Sequence, residues 1–318
     1  MGHNLNEVNG KASMMYVGEV PWHKLGTKLD KPATAREAIE AAGLGFMVDK
    51  IPLRTQTSER SLPRHFATTR TDTQDVLGVV GSHCVPIQNR EAFTMFDALV
   101  GEGDAIYHTA GALGKGERIW ILAKLPDYIR VNGKDIVEKF LLLTNSHDGS
   151  AAVRVKLTPI RVVCENTLAM ALSGAEQEVH IRHTAHGYET LARAQEVLGL
   201  TNQLYAQLDQ ILNRMGKKRL DSNGLGEYVK AVYPLPPGER SHARTRSVRD
   251  KVLELVETGK GAELARGTLW GAYNAVTEFV DHCRQPNAEE SARLESMWFG
   301  SGEKIKKQAF KIAHGMLN

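Results

Sequence analysis

Four groupings of side chains have types and spacings that chemistry uses. His180, His183 and His186 in HIRHTAH stand three apart, and one helical turn could gather them as imidazole metal ligands. No neighbouring carboxylate or cysteine completes that set, so no metal is expected. Cys164, with His147 and Glu165 nearby in sequence, offers a thiol and a base, but it sits in an apolar, helix-like pattern where a thiol acts as a small buried hydrophobe. Asp127, Asp135 and Glu138 follow Pro126 as the carboxylates of a metal-dependent nuclease would, yet the acid, any residue, lysine triplet is missing from the following strand. Asp281 and His282 end a helical pattern, where capping and hydrogen bonding account for them. No catalytic residue and no cofactor is assigned, and the chain reads as a binding protein more than as an enzyme.

Cations supply the binding chemistry. Arg154 and Lys156 alternate with Val153, Val155 and Leu157, which puts two positive side chains on one face of a strand and three apolar ones on the other. Arg161 follows at the start of the next element, where it could reach a phosphate. Between Gln203 and Lys251 ten Lys and Arg stand against five Asp and Glu, an excess of +5 in a chain whose net charge is +3. Arg244, Arg246 and Arg249 lie in that segment. Trp22, His23 and Lys24 put an aromatic ring beside two basic-capable groups, and Trp120 and Tyr128 are further rings on which bases could stack. Phosphate contacts without base reading, together with stacking, describe single-stranded DNA as the partner.

These residues need a scaffold. Phe140–Leu143 is a short apolar run closed by Asn145, Ser146, Asp148 and Gly149, which reads as a strand and a tight turn, with Val153–Leu157 as the return strand. From Ile160 the apolar residues fall three or four apart, predicting a helix after Pro159. Upstream, Met1–Gly18 has no period and reads as an arm or tail. Thr34 and Glu37 form a capping box for a helix over 35–42 that Gly43 ends. Phe46–Thr57, His65–Thr69 and Val76–Val80 read as strands, the first two joined by a long turn through SERSLPR. Asn89 reads as the cap of a helix over 90–100 with Phe93, Phe96, Leu99 and Val100 as its buried stripe. Ile106–Ala110, Arg118–Leu125 and Ile129–Val131 are strand-like, with Gly111, Gly114 and Gly116 marking turns and matching neither GxGxxG nor a P-loop.

Beyond Gly174 the pattern is helical. Gly187–Met215 predicts a long amphipathic helix or two helices broken near Gly199, and further helices are expected over 252–259, 268–284, 289–298 and 304–313. The stiff YPLPPG and the Arg-rich stretch after it read as a loop. The expected architecture is α+β: a core domain over 1–180, an antiparallel sheet with helices on one face, then a mainly helical domain over 181–318 with a basic loop at 234–251.

At 318 residues, 42% hydrophobic and 24% charged, the chain has enough apolar surface for two domains. MGHNLNEVNGK lacks an apolar signal region, no run approaches the roughly 18 apolar residues of a membrane span, and the three cysteines make no CxxC. A cytoplasmic protein without a membrane partner is expected.

PWHKLGT (Pro21–Thr27), HCVPIQNREAFTMFDALV (His83–Val100), NSHDGS (Asn145–Ser150), RVVCENTLAMAL (Arg161–Leu172) and GTLWGAYNAVTEFVDH (Gly267–His282) together resemble the phage/plasmid-like proteins built on a large bacterial domain of unknown function. The resemblance spans nearly the whole chain and implies a genetic setting, the mobile elements of bacteria. It brings no catalytic residues. The order hairpin, strand, helix also resembles, at the level of fold, the single-strand annealing proteins that phages and plasmids use for recombination. That likeness implies self-association into rings or filaments with the DNA strand in a shared groove. The expected function is single-stranded DNA binding and annealing in recombination or replication. The competing classes are a regulatory or anti-host protein-interaction module, and a small-molecule or metal-dependent enzyme for which the histidine triplet would matter.

Overall fold

A computed structural model of the chain describes residues 5–18, 25–31, 33–57, 60–100, 106–163, 166–167, 178–184, 190–237, 242–284, 296–298 and 300–317. The fold is α+β, with antiparallel sheets and a mainly helical C-terminal part, as the sequence predicts. Among the described residues no helix is long and apolar enough to cross a membrane. Two compact units interleave along the sequence and do not follow a single cut at residue 180. One comprises Met1–Pro126, Phe140–Leu157 and Glu178–Thr201, and the other Asp127–Lys139, Thr158–Gln177 and Asn202–Asn318.

The first unit begins with a hairpin of β1 (Glu7–Val8) and β2 (Lys11–Ala12), turned at Asn9 and Gly10, both at positive φ. Such a turn matches the twist of paired strands, so residues 5–18 form a paired arm and not a loose tail. β3 (Met14–Val17) pairs in parallel with β4 (Thr27–Leu29). α1 (Ala35–Ala41) starts in the expected capping box of Thr34 and Glu37. A three-stranded antiparallel sheet follows: β5 (Val48–Arg54), β6 (Ser61–Arg70) and β7 (Val76–Gly81). α2 (Asn89–Val100) then buries Phe93 and Phe96.

The larger sheet adds to β3 and β4 the strands β8 (Ile106–Leu113), β9 (Arg118–Val131), β10 (Asp135–Ser146), β11 (Val153–Leu157), β12 (Ile160–Arg161), β13 (Asn166–Thr167) and β14 (Glu178–Ile181). In the first unit the order is β4-β3-β8-β9-β10-β11-β14. Gly111 lies inside β8, opposite Trp120, and marks no turn: a Cβ there would stand 2.3 Å from the indole, which needs that space to lie across the strand. Gly114 and Gly116, at positive φ, do make the turn. The β10–β11 hairpin has the expected arrangement, with Leu141 opposite Leu157 and Leu143 opposite Val155.

The Asn145–Ser150 turn is pinned on every side. Asn145 Nδ2 donates to the Ile87 carbonyl (2.8 Å), Thr68 Oγ1 donates to the His147 carbonyl (2.7 Å), and the His147 N–H donates to the Glu117 carbonyl (2.7 Å). Asn89 does not cap α2. Its amide donates to the Leu44 carbonyl (3.1 Å), leaving its oxygen to accept from His147 Nε2 at 2.8 Å. His147 is buried, and that burial, reinforced by the neighbouring His183, lowers its pKa to about 3.

The second unit contains the Asp127–Val131 end of β9 and the Asp135–Lys139 start of β10, with β12 on β10 and β13 on β12. The helix predicted from Ile160 is therefore absent over the described residues 160–163 and 166–167, where Arg161 is paired with Val137 as a strand residue, and the remainder of that expected helix lies outside the described residues. α3 (Thr190–Lys217) runs unbroken past Gly199, and in this unit Asn213 Oδ1 accepts the Asn132 N–H while Asn132 Nδ2 donates to the Gly216 carbonyl. α4 (Ser222–Val232), α5 (His242–Thr258), α6 (Leu269–Glu278), a π-helical turn at Phe279–Cys283 and α7 (Ser301–Gly315) complete it. Tyr205, Tyr228, Trp270, Tyr273 and Phe310 form its core. The expected helix over 289–298 lies largely outside the described residues.

Two predictions follow from the pinned turn. Gly149 has φ +78°, and a Cβ there would lie 2.9 Å from Val80 Cγ1, so Gly149→Val should cost about 1–3 kcal/mol of stability in denaturant titration. An unchanged midpoint would refute the strain. His147 ordinarily titrates near 6.5 but stays neutral in the fold until about pH 3. Below 6.5 the unfolded chain therefore binds a proton that the native one refuses, and stability falls by up to about 1.4 kcal/mol per pH unit between those two values. His147→Gln should flatten the dependence of Tm on pH between neutrality and mild acid, and an identical slope in the variant would contradict this.

Candidate functional site

The cations predicted to line an open sheet face are not presented together. β11 is an interior strand, held by β10 on one side and by β14 on the other, where Arg154 is opposite His180 and Lys156 opposite Glu178. Lys156 is 8% exposed. The Arg154 side chain is 31% exposed, and its Nε lies 3.5 Å from Glu178 Oε1. The stripe of charge exists, but β14 pairs along the edge of β11 and sets His180 and Glu178 beside the two cations.

Arg161 is even less available. Its side chain is 1% exposed and grips Asp135 through Nε, at 3.0 and 2.8 Å, and through Nη2 at 2.7 Å. The remaining donors reach the carbonyls of Lys260 (3.2 Å) and Gly261 (2.8 Å), and Trp270 Nε1 donates to Asp135 Oδ2 at 2.8 Å. A guanidinium in this position joins β10, β12, α6 and the turn before α6, and it is not a phosphate ligand. The carboxylates Asp127, Asp135 and Glu138 likewise form no acidic cluster: Asp135 is consumed in the ion pair, while Asp127 is exposed and 4.0 Å from Lys139 Nζ.

The Arg-rich stretch is the beginning of α5 from His242 onward and not a loop. Arg244 and Arg246 are exposed, and among the described residues neither has a carboxylate partner. Arg249 is half-buried and donates through Nε (2.8 Å) and Nη2 (2.6 Å) to the Tyr233 carbonyl, so it anchors the Pro-rich segment to the helix. Of the rings proposed to stack bases, Trp120 is buried in the first unit, and Trp22, His23 and Lys24 lie outside the described residues. Tyr128 is 49% exposed in the second unit, with the Arg130 guanidinium 5.1 Å from its ring centroid. Arg130 escaped the sequence reading, although its signal was present: residues i and i+2 of a strand share a face.

The other candidates separate. Cys164, Glu165 and His186 lie outside the described residues, His147 is buried in its turn, and His180 is exposed on β14 near Glu178. Asp281, in the π-helical turn, is fully buried and paired with Lys306 Nζ at 2.8 Å.

Asp135→Asn preserves shape but leaves the Arg161 charge buried without its counter-ion, which should cost about 3–5 kcal/mol in equilibrium unfolding. A loss below about 1 kcal/mol, the value of an exposed pair, would mean that the pair is solvated.

None of the curated proteins and none of the solved structures matches the chain. The family model described as Domain of unknown function (DUF932) matches residues 76–298, from β7 to just before α7. The match covers well over half of the sequence, and the chain belongs to that family.

Proposed function

We propose that the chain is a non-catalytic single-stranded DNA-binding protein of a bacterial mobile element, acting in the cytoplasm to support strand annealing, and that its contact surface lies on the helical unit. The observation that carries this reading is the pair Arg244 and Arg246, exposed at the amino-terminal end of α5 without carboxylate partners among the described residues. A cation in the first turn of a helix, as Arg244 is, opposes the helix dipole and costs about 0.3–1 kcal/mol, whereas an anion bound there is favoured by dipole and guanidinium together. Tyr128 with Arg130 adds an exposed aromatic face beside a cation, the chemistry on which an unpaired base stacks. The likeness to phage and plasmid proteins supports the genetic setting, and self-association into a ring or filament would align these surfaces along a strand.

The protein-interaction reading has its own support. On the three-stranded sheet Ile51 and Val79 flank Ala67 in register, and they are 45% and 55% exposed, an apolar face suited to a protein partner.

Binding of a fluorescent oligonucleotide should be titrated against salt for the wild type and for Arg244→Gln/Arg246→Gln. The log–log slope should flatten by about 1.4, at about 0.7 per lost phosphate contact. Melting temperature should hold or rise, because a cation leaves the first turn. The rate at which complementary oligonucleotides become duplex should fall with it. If the wild type neither binds single strands at moderate salt nor accelerates pairing, the annealing reading fails and the interaction reading replaces it.

A further inference from the structure

A cavity of about 380 Å³ opens in the first unit between the end of β7, the Asn145–Ser150 turn and the segment after β14. Its walls are fixed before any ligand arrives. Lys50 Nζ donates to the carbonyls of Ser82 and Cys84, both at 2.7 Å, and the Val85 N–H donates to the His183 carbonyl at 3.0 Å. On the opposite wall Gly78 lets β7 come so near the turn that a Cβ would stand 2.4 Å from the Asp148 carbonyl oxygen. The volume sits at the lower end of small-molecule sites, which run from about 300 to 1,000 Å³.

His83, Cys84, Arg182, His183 and Thr184 bring the polar groups, and Val79, Val80 and the alanines at 151 and 152 bring apolar surface. Among the described residues no carboxylate lines the cavity, although the charge of Asp148, beside Gly149 and near Arg118, reaches His183. Arg182 is exposed and has no ion pair among the described residues. His183 is more specific. Its Nδ1 accepts the Ile87 N–H at 3.2 Å, so the proton of the neutral ring is on Nε2. That Nε2 is buried without a hydrogen-bond partner among the described residues. Burial lowers the His183 pKa, against the Ala151 backbone and the Asp148 charge, both of which favour the proton. A buried donor left unmade costs about 1–3 kcal/mol, a cost that an acceptor reaching Nε2 would remove.

We propose that this cavity binds a small molecule bearing an oxyanion, a carboxylate or a phosphate monoester, with its oxygens held by Arg182 and by the Nε2–H of His183 and its body against Val79, Val80 and the two alanines. The site is separate from the nucleic-acid surface proposed above, which lies on the other unit. Cys84 lines the cavity and serves as a reporter, and Cys283, in the second unit, serves as its internal reference.

The experiment is peptide-resolved alkylation of the full chain by iodoacetamide, at constant ionic strength, with inorganic phosphate, acetate or a single-stranded oligonucleotide added in turn. Phosphate or acetate should slow modification of Cys84 saturably, with a dissociation constant on the order of 1 mM, while Cys283 is unaffected. The anion that protects at lower concentration identifies the headgroup. Arg182→Gln, an exposed substitution that should leave the fold intact, should weaken the protection at least about tenfold. The proposal is overturned if neither anion protects Cys84, if Cys283 is slowed equally, or if Arg182→Gln protects as well as the wild type. Protection by the oligonucleotide at concentrations where both small anions have no effect would also overturn it, reassigning the cavity to nucleic acid.

Discussion

The Asp135–Arg161 pair is the constraint on which the second unit is built. Two opposite charges taken out of water gain little net stability over a well-packed apolar pair, but neither tolerates the loss of the other. What the pair contributes is position. Asp135 opens β10 and Arg161 closes β12; with Trp270 on one carboxylate oxygen and the Lys260 and Gly261 carbonyls on the guanidinium, strand, strand, helix and turn meet at one point. Lys306 and Asp281 repeat the device between α7 and the π-helical turn. Two cations are thus committed to the interior together with two carboxylates, so the net charge is unchanged while two of the basic residues that composition counts are withdrawn from any partner.

Much of the local structure was legible because it depends on neighbours in sequence. The Thr34–Glu37 box, the β10–β11 hairpin with its positive-φ Gly149, and the strands from Val48 to Gly81 are local signals found where their residues predicted them, save that β6 begins at Ser61, inside the stretch expected to turn. The failures are long-range. Ile160, Val163 and Thr167 fall at helical spacing, but β-branched residues suit a strand equally well, and pairing of Arg161 with Val137 decided the matter. Arg154 and Lys156 alternate as a solvent face would, and only β14, about twenty-five residues further on, makes β11 an interior strand with Glu178 beside its cations. The Arg-rich stretch lacks an apolar stripe and so reads as a loop. Arginine is nevertheless a good helix former, and α5 extends back through it from the apolar anchor of Val252, Leu255 and Val256. The Asn9–Gly10 turn was visible as a dipeptide, but strands of two residues give no alternation to confirm it.

The candidate surfaces sort by a single physical criterion, whether a charged or polar group has already been satisfied within the fold. Arg70 illustrates the satisfied case in the first unit: it is buried, paired with Asp72, bonded to Asn6 and Lys115, and stacked on Phe46. By that criterion Arg161, Lys156 and Arg249 belong to the architecture. Arg244, Arg246 and the Tyr128–Arg130 pair are available to a partner in one unit, and Arg182 with His183 in the other. Residue type alone could not make this division, because the same guanidinium serves both ends.

The interleaving of the two units carries a consequence for how the chain is made. A ribosome delivers residues in order, and the first unit includes Glu178–Thr201, so β14 cannot close β11 until more than half of these 318 residues have been synthesised. Before then β11 has a bare edge, with Val153 and Val155 waiting for Ile181 and Val179. The segment Asp127–Lys139 is made early but belongs to a unit whose helices come last, so Asp135 must wait for Trp270. The nascent protein therefore passes through a long interval in which a strand edge and a buried-to-be carboxylate are both uncovered. Gene fragments that end near residue 180 would hold it there permanently.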